Sequence, residues 1–231
     1  MKARKVKRLD PGTTLAENAA RIVGVRVGEL RSFVPEALDP DRSETQHDMR
    51  IAAKRLRYVL EATGFCFGRA GATARRQAKE LQDLLGEVHD ADVMLPRLRE
   101  HRAGVRDEDA GIVRRRAGQA ADLAPELAAR APHRTVYRGL DVLEVYLLAR
   151  RELLFERFGA LWAESEERGV WTGLLRAAER ELERAEERRR VAERAQRARD
   201  ALEAAERMRR EAERRAEEAA AELADAERRH P

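Results

Sequence analysis

The chain has 231 residues, of which 39% are charged and only 4% are aromatic, and its net charge at pH 7 is +4. This composition is typical of long helices with solvated faces. Because the net charge is small, a surface that binds anions has to arise from local arrangement and not from bulk charge. The single cysteine, Cys66, excludes an intramolecular disulfide and a two-cysteine metal site, and it fits a reducing compartment.

The sequence predicts neither a targeting signal nor a membrane span. The basic N-terminus is not followed by an apolar run, so it does not resemble a signal peptide, and no window has the apolar length of a membrane span. We therefore expect a cytoplasmic protein without a membrane partner.

Hydrophobic periodicity predicts helices only, since no strand-like alternation occurs. The expected fold is all-α, with a helical bundle over residues 13–168 and a charged helical or coiled-coil extension over 174–229. Within the bundle, residues 13–103 hold the helices with the clearest start and stop signals.

The first helix is predicted to open at a capping box formed by Thr14 and Glu17 and to run toward Pro35. A second capping box, Ser43 with Gln46, is predicted to open the next helix. Gly68 is the expected stop of that helix.

A third helix is predicted to begin near Ala72 and to be bent or interrupted around Gly86 and Pro96. Polar loops are then expected until a long amphipathic helix over 137–165. From residue 174 the chain is almost wholly Arg, Glu and Ala, and its heptad phase slips near Val191. A solvated or weakly self-associating helix is therefore favoured over a tight zipper.

The segment 47–61, HDMRIAAKRLRYVLE, has a cationic side opposite its apolar side. The spacing 3, 4, 3 places four side chains on this cationic side: His47, Arg50, Lys54 and Arg57. Arg55 lies at its edge. A merely solvated face usually mixes signs to form i,i+4 pairs, whereas here only Glu61 can pair with the row. This pattern favours an anionic ligand.

The next helix has a comparable face opposite its leucines. It carries Arg75, Lys79, Gln82 and His89. Gly86 lies among them and would let a backbone or a ligand approach closely. Two such faces on neighbouring helices are more than a solvated surface needs.

Two further arginines, Arg26 and Arg151, fall inside apolar stripes. A buried arginine is costly unless it meets an anion or lines a wet cavity. The alternative is that both side chains extend to the edge of the bundle.

Together, HDMRIAAKRLRYVLE and KELQDLLGEVHDADV resemble the CHAD domain, the conserved histidine α-helical domain. The resemblance covers 13–103 and extends more weakly to about 168. It implies an all-helical module that binds inorganic polyphosphate through a basic central surface and is associated with polyphosphate granules. By position, His47, Arg50, Lys54 and Arg57 match the first motif, and Lys79, Gln82, His89 and Asp90 lie in the second. We expect Asp90 to orient a neighbouring Arg or His.

The family's full module is a pair of similar bundles, each with its own histidine motif, whereas this chain has the motif once. The resemblance therefore implies a homo-oligomer of at least two copies. The full set of predicted polyphosphate-binding residues is His47, Arg50, Lys54, Arg55, Arg57, Arg75, Lys79, Gln82, His89, Arg26 and Arg151.

Two other functions compete with polyphosphate binding. Sequence-independent nucleic-acid binding needs only phosphate contacts, although single strands also use aromatic platforms and only Tyr58 could provide one. A di-metal enzyme needs two Glu-x-x-His motifs, and only Glu44 with His47 forms one. No phosphate-binding loop is present. We therefore expect neither catalysis nor a metal or other cofactor.

Overall fold

The computed structural model describes residues 2–229, apart from the side chains of residue 223 and residues 226–229. Within this range the secondary structure is helical and contains no strand, so the predicted all-α class is confirmed. The helices are α1 (Leu15–Arg31), α2 (Val34–Ala37), α3 (Ser43–Thr63), α4 (Gly68–Ala117), α5 (Pro125–Ala129), α6 (Arg134–Glu167) and α7 (Val170–Arg229). One turn of 3-10 helix, Gly64–Phe67, joins α3 to α4.

The starts of α1 and α3 differ in how well they follow the predicted caps. At α1 the side chain of Thr14 accepts a hydrogen bond from the backbone N–H of Glu17, as predicted. The Ser43–Gln46 capping box is wrong, because Ser43 is already the first helical residue and no side chain caps α3. The Gln46 amide is buried and donates instead to the Asp39 carbonyl at 2.7 Å.

Helix α4 is longer than the sequence suggests. It begins at Gly68 and not near Ala72, and it runs for 50 residues through Gly86 and Pro96. The predicted interruption is therefore wrong, and the polar stretch after residue 103 is helical. Ion pairs to α6 stabilise the second half of α4, and one of them joins Arg102 to Asp141 at 2.7 Å. Tertiary contacts therefore override the weak helix propensity of this stretch.

The core lies between α1, α3 and α4. Each helix contributes apolar side chains at spacings of three and four residues, which puts them on one side of the helix. The fully or almost fully buried ones include Val23, Val27, Leu30, Met49, Leu56, Leu60, Leu81, Leu85 and Val88. Helix α6 adds Leu154, Phe158 and Trp162 from its side toward α4.

Glycines let α4 turn back closely along α3. Gly68 has a φ of +54°, a left-handed conformation that favours glycine. A Cβ atom on Gly71 would lie 2.2 Å from the Gly64 carbonyl oxygen, so the backbones touch where the two helices meet. This joint fixes the register in which α3 and α4 face each other.

The chain divides into a first unit that ends at Glu181 and a second that begins at Leu182. The boundary falls within α7. In the second unit the helix is largely exposed and carries ion pairs at i,i+4 spacing, such as Arg209 with Glu213 at 2.9 Å. Across the described residues, every helix falls short of the combined length and apolarity that spanning a membrane requires.

Candidate functional site

Four side chains form one row along α3: His47, Arg50, Lys54 and Arg57, hereafter the α3 row. All four are half-buried. The row covers about 15 Å of helix, because each residue adds about 1.5 Å. It therefore presents three fixed cations and one titratable group along a single line.

The α3 row packs against the predicted face of α4. The His47 and His89 rings lie 4.3 Å apart between centroids and are tilted by 44°. Farther along, Arg57 Nε donates to Gln82 Oε1 at 2.9 Å. The structure thus brings the two sequence motifs into direct contact, with α3 and α4 running in opposite directions.

Gly86 explains how Arg50 fits between these two contacts. A Cβ atom on Gly86 would lie 3.4 Å from Arg50 Nε. The bare backbone of α4 therefore leaves room for the arginine side chain to lie across it. The predicted close approach at Gly86 is made by a side chain of the neighbouring helix.

The cations of the site differ in whether a carboxylate neutralises them. Arg57 pairs with Glu61 at 2.5 Å, as the spacing predicted, and the exposed Lys79 pairs with Asp83 at 2.6 Å. Among the described residues, Arg50 and Lys54 have no carboxylate partner. Two half-buried positive charges are therefore left without a counter-ion.

One imidazole nitrogen and one guanidinium nitrogen of the α3 row also lack hydrogen bonds. His47 Nδ1 and Arg50 Nε are both buried, and neither has a partner among the described residues. Leaving a buried polar group unpaired costs about 1–3 kcal/mol. These two nitrogens therefore make the row locally less stable than a fully hydrogen-bonded one.

The surroundings of His47 disfavour its charged form. Burial lowers the pKa of its imidazole, and the nearby charges of His89 and Arg50 lower it further, while Asp48 acts in the opposite direction. Without a ligand, His47 therefore holds its proton less tightly than an ordinary histidine.

Tyr58 is exposed, yet its ring is already used by the chain. The Arg57 guanidinium lies 4.4 Å from the ring centroid and Lys54 Nζ lies 5.8 Å from it. These contacts are cation–π interactions. The ring therefore helps to hold two cations of the α3 row.

Arg26 and Arg55 belong to a different cluster, centred on Glu29. The Glu29 side chain is only 1% exposed and accepts from Arg55 at 3.1 Å, from Arg26, and from the backbone N–H of Arg4 at 3.2 Å. Arg26 therefore meets an anion, as expected of a buried arginine, but the anion is the chain's own carboxylate. Glu29 was not predicted from the sequence, although its position three residues after Arg26 is the spacing of a helical ion pair.

Arg151 and Arg75 also lie apart from the α3 row. Arg151 pairs with Asp92 and donates to the Pro40 carbonyl at 3.0 Å. Arg75 is exposed and lines a cavity of about 260 Å³ beside the joint between α3 and α4. Asp90 is exposed, and its charge, after that of Glu87, contributes to raising the pKa of Arg150.

A metal site would need several ligand side chains close together. Within the described part of the chain, His, Cys, Asp and Glu side chains form no group of three or more that could hold a metal ion. The Glu44–His47 motif is accordingly not joined there by a second one.

Residues 2–99 match the family model of the CHAD domain. This part of the chain is therefore similar to the CHAD domain. The match includes α1, α2, α3 and α4 as far as Arg99, and so it contains the whole α3 row and its contacts on α4. No curated protein and no solved structure matches the chain.

The match to the CHAD family model begins at residue 2, whereas the resemblance of the motif-bearing helices begins at 13. The added segment contacts the end of α1, since the Arg4 guanidinium donates at 2.7 Å to Oγ of Ser32, the residue that follows this helix. The Arg4 backbone N–H also reaches Glu29. These first residues are thus held against the C-terminal part of α1.

Proposed function

We propose that this CHAD-like domain binds inorganic polyphosphate along the α3 row. CHAD domains are associated with polyphosphate-related proteins. The observation that carries the proposal is the charge of the half-buried Arg50 and Lys54, which no carboxylate of the described residues neutralises. A phosphate chain would supply the missing negative charge.

The chemistry of the row suits a linear polyanion. Arginine offers a planar fork to phosphate oxygens, and lysine acts as a mobile point charge. Successive cations of the row are about 4.5–6 Å apart along the helix. A polyphosphate chain carries a charge on each unit and has no sugar or base to hold it away from the helix.

The predicted contact residues separate into two groups on the basis of their partners. His47, Arg50, Lys54 and Arg57 form the binding row, with Gln82, Lys79 and His89 at its border on α4. Arg75 extends the basic surface toward the joint. Arg26, Arg55 and Arg151 are instead assigned to support the fold, because buried or half-buried carboxylates already hold them.

The proposed role is binding and not catalysis. The row offers fixed cations and hydrogen-bond donors, and it lacks the paired acid and base that hydrolysis of a phosphoanhydride without a metal would call for. We place this role in the cytoplasm, where the protein would associate with polyphosphate granules to store, localise or regulate the polymer.

Nucleic acid is the competing ligand, and a competition isotherm separates the two. Labelled long-chain polyphosphate is titrated with the full chain at about 0.15 M salt, and unlabelled polyphosphate or RNA of equal phosphate content is added. Polyphosphate is expected to compete at lower concentration, because its charges are closer together and nothing shields them. Both complexes should weaken steeply with salt, so salt dependence alone does not distinguish them.

The opposite result would support the nucleic-acid function. Equal competition by RNA would contradict the proposal. A preference for RNA that weakens in the Tyr58→Ala variant would indicate that bases stack on the ring.

A further inference from the structure

Helix α6 carries a second apolar face in addition to the one that packs on α4. The inner face is buried through side chains such as Leu154 and Phe158. The outer face is exposed: Val142 by 67%, Val145 by 67%, Tyr146 by 58% and Leu153 by 55%. With Ala149, these residues recur at helical spacing and form one stripe on the side away from the core.

Such a stripe is an unusual feature on a helix that already has a partner. Isolated exposed apolar residues are common, but a contiguous row over several turns marks an interaction surface. Burying it removes apolar area from water at about 25 cal/mol per Å². The question is which partner fits it.

The charges at the two ends of the stripe identify the partner. Arg138 and Glu156 are 18 residues apart, which is about five helical turns, so both lie on the side of the stripe and frame it. Both are exposed, and within residues 2–229 neither forms an ion pair with a described side chain. Charged residues on the inner side of α6, such as Arg150 and Arg151, are paired with α4.

This arrangement is self-complementary in one orientation only. If two α6 helices pack antiparallel about a two-fold axis near residue 147, Arg138 of each faces Glu156 of the other. A parallel pair would instead place Arg138 against Arg138. Ala149, close to the axis, is small enough to let the helices approach to the usual 8–10 Å.

We propose that the outer face of α6 pairs antiparallel with the same face of a second copy of this chain. The dimer would bury Val142, Val145, Tyr146 and Leu153 and form two Arg138–Glu156 pairs across the two-fold axis. The inference rests on the exposure and charge of α6 and is independent of the proposed ligand.

The test measures self-association of the full chain by sedimentation velocity over a range of concentrations. The natural chain is expected to form a dimer, and Val145→Glu to abolish it without loss of helicity, because this side chain is exposed in the single copy. Val191→Glu is the matched control, since Val191 is a similarly exposed valine on α7. It should leave the dimer intact.

A charge exchange tests the antiparallel orientation. Arg138→Glu and Glu156→Arg should each weaken dimerisation about tenfold, because each replaces two attractive contacts with two repulsive ones. An equimolar mixture of the two variants should restore it, since each then meets the opposite charge on its partner.

Three results would overturn the proposal. A natural chain that stays monomeric, or a dimer that survives Val145→Glu but not Val191→Glu, would show that α6 is not the interface. An unchanged association of Arg138→Glu alone would indicate a parallel pair, because residue 138 would then face a like charge both before and after the substitution.

Discussion

At the scale of single residues, arginines of similar burial have different partners. Arg26, Arg55 and Arg151 each meet a carboxylate of the chain, whereas Arg50 meets none among the residues that the structure describes. Glu29 is three residues from Arg26 on α1, whereas only the folded structure brings Glu29 near Arg55 and Asp92 near Arg151. A residue's charge and periodicity indicate that it is a candidate, and its partners decide its role.

The first prediction concerns the α3 row. Replacing Arg50, Lys54 and Arg57 together by Glu should abolish polyphosphate binding, because the row would then repel the phosphate chain. Fluorescence anisotropy with labelled polyphosphate measures the binding, and circular dichroism checks the helix content. The same three positions changed to Gln should weaken binding with less strain on the fold.

A matched control exists on α7. Arg190, Arg194 and Arg197 have the same spacing of four and three residues and are exposed. Changing them to Glu alters the net charge of the chain by the same amount. If this control loses binding as fully as the α3 variant, bulk charge and not the row is responsible.

The second prediction concerns His47 and the pH dependence of stability. Its folded pKa lies below the ordinary histidine value of about 6.5 because of burial and the charges of His89 and Arg50. The unfolded state therefore binds the proton more readily than the folded state between these two values. Stability from this group is fully present above about pH 6.5 and is lost as the pH falls through the folded pKa.

Urea unfolding between about pH 5 and 7.5 measures this dependence. The His47→Gln variant should show a smaller loss of stability toward low pH than the natural chain. His101 is exposed and serves as the control, so His101→Gln should follow the natural chain. An unchanged slope in His47→Gln would contradict the prediction.

At the scale of helices, the joint between α3 and α4 is the most constrained contact. Gly71→Ala should destabilise the protein by about 1–3 kcal/mol, because the new methyl group would overlap the Gly64 backbone, which cannot move aside as a flexible side chain can. Gly104→Ala lies in the same helix with nothing within 4 Å of the added atom, and it should stabilise by up to about 1 kcal/mol.

Thermal and urea unfolding of both variants test this pair. If Gly71→Ala is as stable as the natural chain, the two helices are not held at the close distance described. A loss in both variants would indicate a general intolerance of α4 to alanine.

Helix content was readable from sequence, whereas helix ends and partners were not. The apolar spacing of Leu56, Leu60, Leu81 and Leu85 correctly placed the core sides of α3 and α4. The predicted capping box of α3 was wrong because the Gln46 side chain donates to the Asp39 carbonyl in the preceding loop, whose position depends on the tertiary fold. Gly86 and Pro96 did not interrupt α4, because contacts with neighbouring helices outweigh their low propensity.

The candidate site was also only partly predictable from the sequence. The periodicity of each motif predicted two cationic faces on neighbouring helices, and the structure puts them in contact at His47 and His89. Sequence could not show that Arg26 and Arg55 share Glu29, because residues 26, 29 and 55 lie on two helices whose packing angle no local pattern encodes.

At the scale of the whole molecule, the proposed function lies in the first unit. A chain that ends at Glu181 should therefore bind polyphosphate with an affinity within about threefold of the full chain, because the exposed part of α7 pairs its own charges at i,i+4. Binding isotherms of the two lengths under equal salt test this. A loss greater than tenfold would show that residues after 181 contribute to the site.

The four-residue turn between α3 and α4 also influences the order in which the protein can assemble. Every member of the α3 row and its contacts on α4 lies between residues 47 and 89, so these contacts are short-range along the chain. Short loops lose little entropy on closing, and chains rich in local contacts fold quickly. During synthesis from the N-terminus, this hairpin can therefore form while α6 is still being translated. The proposed polyphosphate surface can therefore form before translation of the chain ends.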